Sequence, residues 1–201
     1  MLHAFIASWF TFAPSERVLP ITSSRGNVTA SAVLLDKFTA LTAAHAVGPE
    51  RTIVFMRCGD AEIAGVVSKR GKVQDLALIT LYQACNAVLP TELATEDVSE
   101  GDEVLFDGYP GGKLAHGKAK VLGFAMFTVK QQVAGGGLFW IGLMLQGDVR
   151  PGNSGGPVFT KGGKLCSIVH GYHEGLDGKP GIGVPLTAIL EFLKNTYEDP
   201  N

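Results

Sequence analysis

Cysteine is scarce in this chain of 201 residues. Cys58, Cys85 and Cys166 are an odd number with no Cys-x-x-Cys pair. A disulfide frame and a zinc site are therefore not expected, and all three read as buried free thiols. Charge is scarce too: Asp, Glu, Lys and Arg make up 18% of residues, and the net charge is −2. That balance leaves no electrostatic footprint for nucleic acid or an anionic membrane. No apolar run reaches the roughly 18 residues that a membrane-spanning helix needs. Repeats and low-complexity tracts are absent. The glycines at 111–112 and 135–137 precede no helix with a Lys-Ser/Thr pair, so they form no phosphate loop. His3, His116 and His173 show no ligand spacing and read as surface or structural. No metal and no cofactor are expected.

What the chain has is glycine and apolar residues. There are 26 glycines, and 46% of residues are hydrophobic. That is ample for a core and calls for many tight turns. Short β-rich runs cover 17–21, 28–35, 38–44, 52–57, 62–68 and 76–82, with turn residues between them. Residues 83–101 read as a linker. A second set covers 103–108, 117–129 (with a bend at Gly123), 138–146, 157–160, 165–169 and 183–185, with a turn at 134–137. Strands at this spacing indicate an all-β barrel or sandwich. Residues 186–197 carry apolar side chains at a helical period.

The chemistry concentrates at Gly152-Asn153-Ser154-Gly155-Gly156-Pro157. A serine hydroxyl is a poor nucleophile until a base takes its proton and donors stabilise the oxyanion it creates. Glycine at 152 admits φ > 0, so the N–H groups of Gly152 and Ser154 can converge on one point as an oxyanion hole. Gly155 and Gly156 would leave room for a substrate chain. Upstream, Leu41-Thr42-Ala43-Ala44-His45 ends a β-rich run in small residues around a histidine. Gln74-Asp75-Leu76-Ala77-Leu78-Ile79 places one carboxylate at the head of an apolar strand. Asp75 would accept from His45 Nδ1–H, and His45 Nε2 would take the proton of Ser154.

These three blocks, with Pro180-Gly181-Ile182-Gly183-Val184-Pro185, resemble the chymotrypsin-like serine proteases. The segment from Gly101 to Gly112 is similar to the strand and turn that open the second barrel of the disulfide-free Deg-type branch. The likeness covers roughly residues 18 to 198. It implies two six-stranded antiparallel Greek-key barrels and a C-terminal helix on the second. It divides the chain into an apolar N-terminal segment (1–16), a first barrel with linker (17–100) and a second barrel with helix (101–201). It carries His45 over as general base, Asp75 as its orienter and Ser154 as nucleophile, with a polypeptide as substrate and an acyl-enzyme as intermediate.

The family resemblance leaves the side chain preceding the scissile bond open among three readers. Asp148 stands where a trypsin-like enzyme keeps its acid for Arg or Lys, but Arg150 sits two residues away and competes for it. His170, followed by Gly171, lies on the strand where glutamate-cleaving relatives place a histidine. Val169, with Gly181 and Gly183 opposite, would line an apolar pocket. Neighbouring strand residues face opposite ways, so a one-residue slip decides between Val169 and His170. Asn153 replaces the aspartate that zymogen-type members pair with a new N-terminus, which argues against activation by N-terminal cleavage. Two other readings stand beside an active endopeptidase: a catalytically silent module that captures peptides, and a viral or phage processing protease. Residues 1–12 are apolar and aromatic but lack a basic flank, so they are expected to pack on the barrel rather than act as a cleaved signal. Ala46 stands where digestive relatives carry a cysteine, which leans toward a reducing compartment.

Overall fold

A computed structural model describes residues 17–71, 73–129, 138–174 and 179–194. The N-terminal segment 1–16, the turn expected at 134–137 and the end of the helix expected beyond 194 lie outside them. Among the described residues, twelve strands and one α-helix follow one another. The first six are β1 (Val18–Thr22), β2 (Val28–Asp36), β3 (Thr39–Ala43), β4 (Ile53–Cys58), β5 (Ala61–Arg70) and β6 (Leu76–Leu81). They close into a barrel in the order β1-β2-β3-β6-β5-β4. The second six are β7 (Glu103–Gly108), β8 (Ala115–Val129), β9 (Leu138–Gln146), β10 (Pro157–Phe159), β11 (Leu165–Tyr172) and β12 (Gly181–Pro185). They close in the order β7-β8-β9-β12-β11-β10, the same connectivity, and helix α1 (Leu186–Lys194) follows. Every strand pairing in both barrels is antiparallel.

Burial explains why some strands read as alternating and others as continuous apolar runs. On β2, Ala30, Ala32 and Leu34 point into the first barrel, while Val33 points into a separate cluster between the barrels. On β6, Ala77, Ile79 and Leu81 point inward, and Leu76 and Leu78 join that interface. Both faces of β6 are dry from Leu76 to Ile79, so it carries no polar alternation there, whereas β2 keeps exposed Thr29 and buried Ser31. The interface cluster also takes Phe159, Leu165, Ile168 and Val184 from the second barrel. Helix α1 contributes Ile189 and Phe192 to it, while Leu186 turns into the second barrel. Lys69 Nζ donates to the Phe192 carbonyl at 2.6 Å and sits over its ring. A cation at the last turn of a helix meets its exposed carbonyls, so the helix is bolted across the barrel boundary.

Strand β8 runs through the bend expected at Gly123 as a single strand. Its register slips between Val121 and Gly123, and Gly123 takes φ 105°, which absorbs the bend. The free-thiol reading needs a correction. Cys58 and Cys85 form a disulfide with Cα atoms 5.7 Å apart, and Cys166 alone is free and buried. Cys58 ends β4, while Cys85 lies in the segment after β6 with its N–H on the Lys37 carbonyl. Barrel closure brings them together across 27 residues, so no local spacing announced the pair. The cysteine pattern therefore no longer argues for a reducing compartment. Among the described residues no helix is long and apolar enough to cross a membrane.

Candidate active site

The site forms where β3 and β6 of the first barrel meet the loop before β10 of the second. Ala43 pairs with Leu76, so the chain leaving β3 and the chain entering β6 lie side by side. A 3₁₀ turn, Ala44–Ala46, then carries His45 beside Asp75. The Asp75 backbone carbonyl accepts the Ala44 N–H at 3.1 Å. Its Oδ1 accepts the His45 N–H at 2.8 Å, and its Oδ2 lies 2.5 Å from His45 Nδ1. One residue thus holds both the backbone and the ring of His45. Arg70 clamps the same turn from the other side: its Nη1 donates to the carbonyls of Ala44, Val47 and Gly48 at 2.6, 3.0 and 2.9 Å.

Ser154 follows a tight turn whose residues suit its geometry. Pro151 and Gly152 occupy the two central positions, as in a type II turn, and Gly152 takes φ 100°. Asn153 N–H closes the turn onto the Arg150 carbonyl at 3.0 Å, and buried Asn153 Oδ1 accepts the Arg150 N–H at 2.9 Å. That is the work Asn153 does here. Behind the turn stands Ser31 of β2. Its N–H donates to the Ser154 carbonyl at 2.9 Å, and its Oγ donates to the Gly152 carbonyl at 2.8 Å. The same Oγ accepts the Tyr109 N–H at 3.0 Å. With both carbonyls tied back, the N–H groups of Gly152 and Ser154 have no intramolecular acceptor among the described residues.

Gly155 and Gly156 make room for protein rather than for substrate. A Cβ on Gly155 would lie 2.1 Å from the Ser31 carbonyl oxygen and from Thr42 Oγ1, at a backbone φ of 80°. A Cβ on Gly156 would lie 2.2 Å from the Asp107 carbonyl oxygen. The loop lies flat against the first barrel and β7, and only glycine fits. Next to it, buried Asp107 receives His116 Nδ1 at 2.8 Å, which gives His116 a structural role. Burial pushes the Asp107 carboxyl above its ordinary value, with His116 opposing.

The strand flanking Ser154 decides between Val169 and His170 by a bulge. Val169 pairs with Gly183 and Gly171 with Ile182, so His170 is an extra residue without a cross-strand partner. Bulges re-aim side chains beside active sites. Val169 is fully buried in the second-barrel core, with its N–H and carbonyl bonded to Gly156 and Gly155. Its side chain is spent on packing in that core. A Cβ on Gly181 would meet the Val149 side chain, and one on Gly183 would meet Ser167 Oγ, so these glycines fit core packing. Nothing lies within 4 Å of a Cβ on Gly171, which borders open space.

His170 turns instead toward the first barrel. Its Nδ1 lies 2.6 Å from Asp75 Oδ2, the oxygen that His45 also uses. Its ring stands edge-on to His45 at 5.2 Å and to Trp140 at 5.0 Å between centroids. Ser154 Oγ donates to the His170 carbonyl at 3.2 Å, and no hydrogen bond joins Ser154 to His45. Burial of Asp75 favours its neutral form, but the hydrogen bonds from His170 and His45 outweigh it and hold the carboxyl well below the usual range. His45, Asp75 and His170 also offer one metal-ligand atom each by type, all within 4.8 Å of one another. Ligand atoms around one tetrahedral ion stand about 3.3 Å apart, so separations of 2.5 and 2.6 Å are those of hydrogen bonds.

Asp148 stands apart from this cluster. It is 71% exposed and paired with Arg150, whose Nε donates to Oδ1 at 2.8 Å. The pair borders a cavity of about 800 Å³ that Val149, Pro151, Tyr172 and Lys179 also line. Three supports of the site went unread in the sequence. Ser31 and Arg70 act through contacts formed only when strands far apart in the chain pair up. The third, the His170 bulge, had a weak signal in the histidine–glycine step that ends the β-branched run.

The family model described as a trypsin-like peptidase domain matches residues 30–168. Among curated proteins no significant sequence relative is found. Two solved structures of Rv3671c from M. tuberculosis superpose on nearly the whole chain. One is the inactive form of a serine-to-alanine mutant of the H37Rv protein, 19% identical, with a TM-score of 0.78, covering 92% of this chain and 90% of that one. The other is the active form of the protease, 20% identical, with a TM-score of 0.78, covering 92% and 82%. At this identity the likeness establishes the shared fold.

Proposed function

This chain belongs to the trypsin-like peptidase domain family, and on that premise we propose that it is a serine endopeptidase whose triad is His45, Asp75 and Ser154. One observation carries the reading. Asp75 grips the backbone and the ring of His45, beside a serine whose neighbouring N–H groups are unspent. Asp75 accepting at Nδ1 fixes the tautomer that leaves Nε2 as a base. Ser154 Oγ leaves the His170 carbonyl by rotation about χ1, gives its proton to His45 Nε2 and attacks the substrate carbonyl carbon. The N–H groups of Gly152 and Ser154 stabilise the oxyanion. His45 then protonates the leaving amine, and water hydrolyses the acyl-enzyme by the same route in reverse. A polypeptide chain is the substrate.

The position of Ser154 Oγ on the His170 carbonyl supports a second reading, a peptide-binding module without turnover. A fluorophosphonate probe separates the two. Labelling of the native protein that Ser154→Ala abolishes supports the endopeptidase. No labelling at any pH, with the fold intact, leaves the binding module.

A further inference from the structure

Three main-chain carbonyls of the loop that carries His45 converge on one nitrogen. Those of Ala44, Val47 and Gly48 accept from Arg70 Nη1 at 2.6, 3.0 and 2.9 Å, sharing its two hydrogens. The mechanism above gives Arg70 no part. Yet the loop has little of its own to hold it. The 3₁₀ turn is three residues long, no side chain caps its start, and its closing bond, from the Val47 N–H to the Ala44 carbonyl, is 3.3 Å. Turns of this kind have poor hydrogen-bond geometry. The His45 side chain is 46% exposed, so packing alone does not fix it.

We propose that Arg70 is a positioning residue of this site: its guanidinium is a resident cation that gathers the three carbonyls and so sets where His45 stands, and a free guanidinium ion can take its place. The inference rests on the reading of His45 as general base. Ala44 is held at both ends, its N–H by the Asp75 carbonyl at 3.1 Å and its carbonyl by Arg70. Both holders belong to one connection, because Arg70 ends β5 and Asp75 immediately precedes β6. That connection is tight. The Gly71 N–H donates to the Leu76 carbonyl at 2.8 Å, and a Cβ on Gly71 would lie 2.3 Å from the Gln74 carbonyl oxygen. Arg70 also donates its backbone N–H to Glu50 Oε1 at 3.1 Å, beyond the far end of the same loop. The base and the acid that orients it are thus referred to a single hairpin end. Without the guanidinium, three carbonyl dipoles face one another across a part-buried gap and push the turn open. The backbone of His45 moves with it, and a displacement of about 1 Å in a reacting group costs about 10²-fold in rate. Arg70 does not line the cavity beside the nucleophile turn, so the substrate side of the cleft stays as it is.

The test reads the maximal labelling rate and the half-saturating concentration of a fluorophosphonate probe in the native protein, Arg70→Ala and Arg70→Lys, each checked for folding by thermal melt. In Arg70→Ala the maximal rate should fall about 10²-fold, with half-saturation within about threefold of native. Guanidinium at about 50 mM, far below the molar range in which it unfolds proteins, should raise that rate about tenfold or more, whereas sodium chloride at equal strength should not. Lysine keeps a cation but ends one bond short of Nη1, so Arg70→Lys should be slower than native by about tenfold. If Arg70→Ala does not fold, Arg70→Lys carries the test. Either variant labelling as fast as native, or a loss in folded Arg70→Ala that guanidinium leaves unchanged, overturns the proposal. A second readout does not need turnover. In the Ser154→Ala background, the downfield proton resonance of His45 Nδ1–H should shift in Arg70→Ala and return with guanidinium. A resonance that Arg70→Ala leaves in place overturns the proposal. One that moves as expected, in a protein that the probe never labels, counts against the endopeptidase reading instead.

Discussion

Ser31 Oγ, on β2 of the first barrel, donates to the carbonyl oxygen of Gly152 in the second at 2.8 Å. This bond reaches from one barrel to the turn that precedes Ser154. Together with the Ser31 N–H on the Ser154 carbonyl, it fixes residues 152 and 154, whose own N–H groups have no acceptor among the described residues. Removing the hydroxyl leaves the part-buried Gly152 carbonyl and Tyr109 N–H only the long 3.4 Å bond between them. Ser31→Ala should cost about 1–3 kcal/mol of stability and slow acylation while leaving KM nearly unchanged. Urea melts and steady-state kinetics on a peptide substrate measure both. A variant with native kcat would show that the loop keeps its shape unaided.

Asp75→Asn should lower kcat by about 10⁴, the scale of tautomer loss in a triad of this type. Its effect on stability depends on pH. The folded carboxyl sits below its unfolded value, so its stabilisation is complete above the unfolded pKa of about 3.9 and is lost as pH falls further. The stability gap between the native protein and Asp75→Asn should accordingly narrow below about pH 4. Equilibrium unfolding at stepped pH tests this. A gap that stays constant through that range would mean that Asp75 is not the ionised acceptor of the two histidines.

Thiol counting tests the Cys58–Cys85 bridge. Cys166 is buried, and burial pushes its thiol up to about 12, so it should not react in the native state. A thiol reagent should find none in native protein, one after denaturation without reductant and three after reduction. Chain entropy for a bridge spanning 27 residues puts the loss on reduction at about 3.5 kcal/mol. Three reactive thiols in unreduced, denatured protein would rule the bridge out.

Arg150 Nε donates to Asp148 Oδ1 at 2.8 Å and holds its carboxylate. The pair is exposed on both sides, and surface pairs of this kind contribute little to folding. Arg150→Ala should leave the melting temperature unchanged. It should free the carboxylate at the wall of the cavity beside the nucleophile turn, raising the preference for Lys or Arg before the scissile bond. Peptide-library profiling reads this directly. A profile indifferent to both Arg150→Ala and Asp148→Ala removes Asp148 from specificity.

The barrels were legible because strand residues are sorted by where their side chains go. Ile63 and Val67 on β5 face the core with half-buried Ala64 and Val66 between and exposed Glu62 and Ser68 on either side, and the dry start of β6 reads as a continuous run. Gly155 and Gly156 were legible as glycines but not for their reason. The atoms that forbid a Cβ there, Ser31 O, Thr42 Oγ1 and Asp107 O, lie far away in sequence. The disulfide was illegible on the same ground, because barrel closure brings its two ends together.

The amino-acid order by itself determined what local chemistry dictates: two sets of short strands, a Pro151–Gly152 turn, and a histidine, an aspartate and a serine on β-rich segments. Tertiary structure alone decided which imidazole meets which oxygen. One unpaired residue in β11 sends His170 to Asp75 and Val169 to the core, and Ser31 ties back the turn before Ser154 from the opposite barrel. The physical reason is that strand register and barrel contact are collective. A slip of a single residue reverses every side chain after it, and nothing local in the chain records where that slip occurs.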